Sequence, residues 1–453
     1  MLTEKETIII GGTLVTAEEE KKGAILIKGE RISNIWEEES MAAFYLSQHP
    51  ETEVIEAVGK HVFAGGIDAH VHFREPGLTA KADMETESAA AVLGGVTSFI
   101  DMPNTSPQTT TAQALEEKLT LAEGRCHANY GFHIGATNSN YSEIKAIPSS
   151  EYAGIKVFMG SSTGNMLVNE GSSLEEIFAD KEKPVLVHCE DEDTINANLQ
   201  AAKDKYGDSI PFEEHPNIRS RMACFKSSMK ALELAMKHGT RLHLCHISTR
   251  EEAEMARAAK LHNPNITTET SPNYLWFCNE DYKTRGARVK CNPSIKTADD
   301  RQELRTALLQ GSIDTVGTDH APHLAEEKEK PYTSCPSGMP SIQHSLPVLL
   351  TLSQECEIPL TRIASAFSEK PAEIFNIEER GKLKEGYYAD IVIADLNGKE
   401  EVLKENLAYK CGWSPYEGET FSCSIDTVLV GGVKAVDNGK LTGSRQGKKL
   451  RFK

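Results

Sequence analysis

The stretch Asp68-Ala69-His70-Val71-His72-Phe73-Arg74-Glu75-Pro76-Gly77 is the most informative part of this chain. His70 and His72 lie two residues apart, at the end of an apolar run that begins at His61. On a β-strand, side chains two residues apart project from the same face. Two neutral imidazoles on one face can bind a divalent cation, although such a pair taken alone also fits two solvated or hydrogen-bonded histidines.

Outward from this stretch, the chain repeats an apolar run of strand length followed by a segment with helical spacing. Eight such runs occur, at residues 61–73, 96–104, 128–137, 153–159, 184–190, 241–248, 266–275 and 312–320. Eight strands alternating with helices predict an α/β fold, a closed parallel (β/α)8 barrel of the TIM type. An open doubly wound sheet is the alternative, but the sequence lacks the glycine-rich phosphate turn typical of that fold.

The two ends of the chain differ from this middle part. Residues 7–35 and 389–439 carry short β-rich runs broken by glycine-containing turns. We expect both ends, residues 1–58 with 383–453, to form one small β-sandwich domain beside a barrel domain of residues 59–382. Residues 37–53 form a polar, partly helical insertion, and we expect the basic tail 445–453 to be solvated.

Composition excludes several classes of protein. The formal net charge of -18 argues against nucleic acid or an anionic membrane as partner, because phosphate binding needs clustered Lys and Arg. No apolar run approaches 18 residues, and the first residues lack the apolar core of a signal peptide, which predicts a cytoplasmic protein. The 10 cysteines include no Cys-x-x-Cys pair, so neither a disulfide framework nor a thiolate zinc site is indicated. We expect Cys189 and Cys245 to point away from the adjacent histidines, toward packed helices.

Potential metal ligands recur at the predicted strand ends. The functional face of a parallel barrel lies at the C-terminal ends of its strands. The candidates on that face are His70, His72, Lys156, His188, His246 and Asp319. Each alone also fits a structural role, but their recurrence at one rim predicts a metal centre. Imidazole and carboxylate ligands without thiolate favour Zn²⁺, with Mn²⁺, Co²⁺ or Fe²⁺ as alternatives.

Lys156 is the unusual member of this set because it lies within the apolar strand 154–160. A buried, unpaired ammonium is costly, so this lysine either pairs with an acid such as Asp319 or loses its proton. A neutral amine can capture CO₂ as a carbamate, an anion that can bridge two cations.

Six motifs together resemble the amidohydrolase superfamily and, within it, the dihydroorotases. They are His-x-His-x-Arg-Glu-Pro-Gly at 70–77, Met-Pro-Asn-Thr at 102–105, Gly-Ile-Lys-Val-Phe at 154–158, Val-His-Cys-Glu at 187–190, Cys-His-Ile-Ser at 245–248 and Gly-Thr-Asp-His-Ala-Pro-His at 317–323. The resemblance implies a metal-dependent hydrolase with two Zn²⁺ per subunit. One metal would bind His70, His72 and Asp319, the other would bind His188 and His246, and carboxylated Lys156 and a hydroxide would bridge both.

The resemblance also implies a small-molecule substrate. Dihydroorotases close N-carbamoyl-L-aspartate reversibly to (S)-dihydroorotate in pyrimidine biosynthesis. By resemblance, Arg74, Asn104 and His323 would hold the substrate carboxylate, and Asn292 would contact the ring, although Ser294-Ile295-Lys296 replaces the family's usual Pro-Leu-Arg. Asp319 would pass a proton from the bridging hydroxide to the departing nitrogen, and the enzyme would be a homodimer. The alternatives are another cyclic amidohydrolase (allantoinase, dihydropyrimidinase or hydantoinase) and a non-catalytic scaffold relative.

Overall fold

The computed structural model describes residues 5–160 and 166–453, and its centre is a closed ring of eight parallel strands. In chain order, the barrel strands are Gly66–Val71, Val96–Asp101, Asn129–Phe132, Ile155–Phe158, Val185–His188, Leu242–Leu244, Thr267–Thr270 and Thr315–Val316. Ile134–Gly135 extends the third strand and pairs with the fourth. A parallel bridge between Val71 and His320 joins the eighth strand to the first. The predicted barrel is confirmed.

Helices cover the outside of the barrel. The longer ones are Met84–Leu93, Ala112–Ala122, Gly171–Phe178, Glu192–Tyr206, Arg221–His238, Arg250–Lys260, Ala298–Leu309 and Ser345–Cys356. Five of these helices begin after an Asp or Thr whose side chain accepts a first-turn backbone N–H: Asp83, Thr111, Asp191, Thr249 and Thr297. Such caps fix the start of each helix and therefore the length of the loop that precedes it. None of the described helices combines the length and the apolar character that a membrane-spanning segment requires.

Shorter helices lie in the connecting segments. They are the α-helices Tyr141–Ala146, His215–Ile218, Pro272–Trp276, Tyr282–Arg285, Ala325–Lys328, Leu360–Ala364 and Lys370–Ile374, the 3₁₀ turns Ser149–Glu151, Phe212–Glu214, Asn279–Asp281, Gly286–Val289, Ile342–His344 and Lys404–Asn406, and the π-helical turn Ser365–Glu369.

The two chain ends form one flanking sheet of nine strands, where the sequence predicted a small β-sandwich from both ends. Its strands are Glu6–Val15, Glu20–Lys28, Arg31–Trp36, Glu53–Glu56, His61–Ala64, Ile391–Asp395, Ser424–Val430, Val433–Asp437 and Lys440–Leu441. A separate pair, Glu400–Glu401 with Thr420–Phe421, lies outside this sheet. Buried isoleucines from both ends, including Ile9, Ile25 and Ile391, form its core. The polar insertion contains the helix Glu39–Gln48, whose Ala42 packs with Ile8 and Leu26 of the sheet.

The apolar run 61–73, expected to be one barrel strand, is divided between the two domains. Its first part, His61–Ala64, pairs with Glu6–Val15 and with Ile391–Asp395 in the flanking sheet. The barrel strand begins at Gly66. Between the two parts, the backbone passes close to neighbouring side chains and leaves no room for a Cβ. A Cβ at Gly65 would lie 2.1 Å from Thr97 Oγ1, and one at Gly66 would lie 2.1 Å from Phe367 Cε1. By strand pairing, the boundary expected at residue 59 therefore lies one strand too early.

The expectation of a solvated tail at 445–453 is wrong. Leu450 and Phe452 are 0% and 3% exposed and pack in one apolar cluster with Ile67 and Ala153, near the starts of the first and fourth barrel strands. Lys449 forms a parallel bridge with Tyr130 of the third strand. Apolar and cationic residues alternate in the tail, which is the pattern of a half-buried strand. The tail can therefore bury its apolar side chains against the barrel while its cationic side chains face the solvent.

A buried ion pair connects the flanking sheet to the barrel. Arg380 pairs with Asp390, and both side chains are at most 5% exposed. Asp390 also accepts hydrogen bonds from Asn129 Nδ2 at 3.2 Å and from the backbone N–H of Gly431 at 2.8 Å. Its carboxylate therefore joins groups from the third barrel strand and from the flanking sheet.

Replacing Arg380 with Met should strongly destabilise the fold, because Asp390 would keep a buried charge without its cation. We expect a loss of about 3–5 kcal/mol, measured as a lower midpoint of denaturant unfolding. The matched control is Arg31→Met. Arg31 lies over the same Tyr388 ring but pairs with Glu379 while 42% exposed, so its loss should cost at most about 1 kcal/mol. Equal effects of the two substitutions would contradict this account.

Candidate active site

A cavity of about 250 Å³ opens at the C-terminal ends of the barrel strands. All ten residues predicted for the site line it: His70, His72, Arg74, Asn104, Lys156, His188, His246, Asn292, Asp319 and His323. Phe158, Ala321 and the segment 336–338 complete the wall. Side chains from distant parts of the sequence thus meet in one place, although their individual roles remain predictions.

The two histidines of the first strand are oriented by hydrogen bonds to their Nδ1 atoms. His70 Nδ1 lies 2.6 Å from Glu269 Oε1. His72 Nδ1 lies 2.8 Å from Asn104 Oδ1. Both Nε2 atoms face Asp319, whose Oδ1 is 3.4 Å from His70 and 3.0 Å from His72. Two imidazole nitrogens and one carboxylate oxygen within 4.8 Å of one another suit a divalent cation.

His188 and His246 provide a second pair of nitrogens. His188 Nε2 lies 2.9 Å from Glu190 Oε2, and Glu190 also pairs with Arg219. This leaves His188 Nδ1, which lies 3.0 Å from His246 Nε2. Burial lowers the pKa of both histidines, so both rings are neutral and can act as ligands. The donor set therefore fits a second cation beside the first.

Lys156 is 1% exposed and does not pair with Asp319. Its Nζ lies 3.3 Å from Cys245 Sγ and 5.2 Å from the centre of the Phe158 ring. Within the described residues, no carboxylate forms an ion pair with this lysine. Of the two alternatives left open by the sequence, the ion pair is therefore absent, and a buried amine without a counter-ion suits carbamate formation.

We expected both Cys189 and Cys245 to point toward the helices. Cys189 does so and packs in the cluster between strands and helices, but Cys245 does not. Cys245 contacts Lys156, and so it points toward the barrel interior. The expectation assumed that Cys245 and His246 lie on opposite faces of a strand. Instead, His246 has a left-handed backbone conformation with φ 35°, which breaks the alternation just after the strand ends.

Left-handed conformations also occur at Arg74, with φ 66°, and at Asp319, with φ 50°. Such conformations are uncommon for residues that carry a Cβ and cluster at functional sites. Each of these residues lies just after a barrel strand. The conformations redirect side chains that would otherwise follow the alternating pattern of the strand.

Buried charges control the protonation of this centre. Burial alone would lower the pKa of His70. The negative charges of Glu269 and Asp319 have the larger effect and raise this pKa to about 10. Burial lowers the pKa of His72 to about 4. Burial opposes ionisation of Asp319, yet His70 and His72 hold its pKa well below the ordinary value. A cation that binds here would therefore displace a proton from His70.

Arg74 gives the cavity a cation without a carboxylate partner. Its Nε donates to the carbonyl of Pro322 at 3.0 Å, and its Nη2 lies 3.1 Å from His323 Nε2. Within the described residues, Arg74 forms no ion pair although it is only 9% exposed. A guanidinium held in this way is suited to bind an anionic group that enters the cavity. Nearby, Asn292 Oδ1 is buried without a hydrogen-bond partner in the described structure.

The carboxylates behind the candidate ligands were not predicted from the sequence. Glu269 contacts His70, Glu190 contacts His188, and Asp68 accepts hydrogen bonds from Thr318 and from the backbone of His70. Glu269 lies among threonines in the strand Thr267–Thr270, where a charged residue does not stand out as Lys156 does in its own apolar strand. The local sequence therefore carries no signal of the kind that identified Lys156.

Comparison with known proteins agrees with this geometry. The model of the "Amidohydrolase family" matches residues 61–435. The chain belongs to the amidohydrolase family. The resemblance predicted from the six motifs is confirmed, and the protein is a cyclic amide hydrolase.

Relatives of this amidohydrolase carry several activity names. A dihydroorotase from Methanosphaera stadtmanae is 33% identical over 398 residues, which cover 87% of this chain and 90% of that protein. An allantoinase from Desulfitobacterium hafniense is 29% identical over 468 aligned positions, 99% of both chains. The solved structure of an L-hydantoinase (dihydropyrimidinase) from Arthrobacter aurescens matches with a TM-score of 0.91 and 27% identity, over 99% of this chain and 100% of that one.

Replacing Glu269 with Gln should weaken metal binding about 10–100-fold, because the substitution removes the charge that orients His70 and makes it more basic. Competition with a chromophoric chelator measures this affinity. The matched control is Glu252→Gln. Glu252 is also buried but accepts hydrogen bonds from Ser228 and Thr249, and none of its partners in the described structure is a histidine, so its variant should retain the metal. Equal metal affinity in the two variants would show that Glu269 does not support the site.

Proposed function

We propose that this amidohydrolase is a dihydroorotase, which interconverts N-carbamoyl-L-aspartate and (S)-dihydroorotate. The observation that supports this proposal most directly is the buried Arg74 guanidinium, which lines the cavity without a carboxylate partner in the described structure. Dihydroorotate carries a carboxylate, whereas allantoin, dihydrouracil and hydantoin are uncharged. A fixed cation beside the metal ligands favours the charged substrate.

The proposal includes two Zn²⁺ ions in the cavity. His70, His72 and Asp319 would hold one, His188 and His246 would hold the other, and Lys156, carboxylated on Nζ, would bridge them. When bound, the two cations would make water a stronger acid and polarise the amide carbonyl of the ring. The convergence of the donor atoms supports this arrangement, as does the lack of an ion pair between Lys156 and any carboxylate of the described residues.

In this proposal, Asp319 moves the proton. Its carboxylate lines the cavity beside His70 and His72 and, in its ionised form, can accept a proton from the attacking water. The same carboxyl group then donates that proton to the ring nitrogen as the amide bond breaks. In the direction of ring closure, Asp319 takes the two roles in reverse order.

Four side chains hold the substrate in this mechanism. Arg74 and His323 would bind one carboxylate from the same side, since their nitrogens are 3.1 Å apart. Asn104 uses its Oδ1 to accept from His72, which leaves its Nδ2 to donate to the substrate. Asn292, whose Oδ1 has no partner in the described structure, would accept a hydrogen bond from a ring N–H.

A substrate panel tests the proposed activity. The zinc-loaded protein, prepared with bicarbonate, is assayed with dihydroorotate, N-carbamoyl-L-aspartate, allantoin, dihydrouracil and hydantoin. We expect kcat/KM for dihydroorotate to exceed that for each uncharged ring by about 100-fold or more, because those rings would leave the cation unpaired. A preference for any uncharged ring would refute the dihydroorotase proposal and leave the cyclic amide hydrolase intact.

Replacing Arg74 with Lys should raise KM for dihydroorotate on the order of tenfold or more and change kcat much less, because an ammonium cannot form a bidentate contact with a carboxylate. Steady-state kinetics measures both constants. Arg125→Lys is the matched control, since Arg125 pairs with Glu75 at 2.9 Å and does not line the cavity. An unchanged KM in the Arg74 variant would remove Arg74 from the substrate site.

A further inference from the structure

Lys81 lies behind the cavity and contacts its wall through His323. Its Nζ is 3.0 Å from His323 Nδ1 and 2.9 Å from Glu327 Oε1. Glu327 is itself fixed, because its Oε2 accepts the backbone N–H of Leu324 at 3.0 Å. Lys81 does not line the cavity, so any effect on the substrate must pass through the imidazole.

The contacts of His323 indicate which nitrogen carries its hydrogen. An ammonium has three donors and no acceptor, so the Nδ1 that faces Lys81 must be the acceptor. The hydrogen of a neutral ring then lies on Nε2, which is 3.0 Å from the carbonyl oxygen of Ser337. A carbonyl oxygen accepts only, so this second contact indicates the same tautomer. Burial, together with the nearby cations Arg74 and Lys81, lowers the pKa of His323 and keeps the ring neutral.

The single Nε2–H of His323 lies near both the Ser337 carbonyl and Arg74, so an anion that binds beside Arg74 would share that hydrogen with the carbonyl oxygen. In the tautomer with Nε2–H, two donors face each other, Arg74 Nη2 and His323 Nε2, at 3.1 Å. Two donors this close are stabilised when one anionic oxygen accepts from both. In the opposite tautomer, the lone pair of Nε2 would face that anion and repel it.

Glu327 would favour the opposite tautomer if Lys81 were absent. Its Oε2 lies 3.6 Å from His323 Nδ1, and a carboxylate there would accept a hydrogen bond from Nδ1–H. Lys81 lies within hydrogen-bond distance of both groups and blocks this contact. The choice between the two tautomers therefore depends on one side chain outside the cavity.

We propose that Lys81 is a positioning residue that fixes the tautomer of His323, so that its Nε2–H, together with Arg74, binds the anionic group of the substrate. The identity of that group as the dihydroorotate carboxylate rests on the proposed function. The tautomer itself does not.

The first experiment determines the tautomer in the zinc-loaded full chain. Nitrogen-15 NMR of histidine-labelled protein distinguishes the protonated from the unprotonated nitrogen of His323, which is assigned by comparison with His323→Gln. We expect Nε2–H in the unsubstituted protein and in Lys81→Arg, which keeps a donor at this position. Lys81→Met should show Nδ1–H. Nδ1–H in the unsubstituted protein, or Nε2–H in Lys81→Met, would overturn the proposal.

The second experiment measures the consequence for binding. Lys81→Met should raise KM for dihydroorotate on the order of tenfold while kcat changes much less, and Lys81→Arg should restore KM. The control Glu327→Gln keeps an oxygen for the Leu324 N–H and leaves Lys81 beside Nδ1, so it should keep both Nε2–H and a KM near that of the unsubstituted protein. An unchanged KM in Lys81→Met would overturn the binding role.

The two experiments separate this inference from the proposed function. If the unsubstituted protein does not act on dihydroorotate, the proposed substrate is wrong, but the NMR result still decides whether Lys81 sets the tautomer. Metal content and thermal unfolding of each variant show whether the fold is retained. Lys81 has a partly exposed side chain, 21%, so its substitution leaves the core intact.

Discussion

The carboxylate of Glu269, enclosed by the barrel, is the interaction on which the candidate site depends most. Its Oε1 contacts His70 Nδ1 of the first strand and accepts the backbone N–H of His246 at 3.2 Å. Its Oε2 lies 3.5 Å from His243 Nε2 of the sixth strand. The eighth strand leaves room for it at Gly317, where a Cβ would lie 2.4 Å from Glu269 Oε2. One buried anion thus sets the relative positions of groups from four strands. Its charge is acceptable there only because cationic or polar groups surround it.

This arrangement divides the barrel interior by polarity. Near the starts of the strands, Leu450, Phe452 and Phe375 form an apolar cluster. Toward the strand ends, buried carboxylates alternate with histidines and with Lys156. The apolar part stabilises the fold through burial. The polar part lowers the net stability, because it holds fixed charges in a buried site. Function and stability therefore occupy different ends of the same strands, as is usual for parallel barrels.

The features that could be predicted from the sequence depend on local patterns. The alternation of strands and helices identified the barrel, and the rule that strand ends form one face identified the six candidate metal ligands. The resemblance to a known family added the other four predicted residues, and all ten line one cavity. The features that were missed depend on contacts between distant residues. Strand pairing separates His61–Ala64 from the barrel, and the left-handed conformation of His246 breaks the alternation from which the direction of Cys245 was expected. No local pattern shows that Leu450 and Phe452 find an apolar cluster on the barrel. Glu269 was not detectable in the way that Lys156 was, because threonines rather than apolar residues surround it in its strand.

The position of His61–Ala64 in the flanking sheet has a consequence for how the polypeptide reaches its final form. This strand lies between Glu6–Val15 and Ile391–Asp395, so one of its edges is completed only by a segment that follows the whole barrel in the sequence. During translation, the ribosome must produce every barrel strand before that edge is satisfied. The nascent chain therefore carries an open β-edge for most of its synthesis, a state prone to intermolecular pairing until the late strand adds to it.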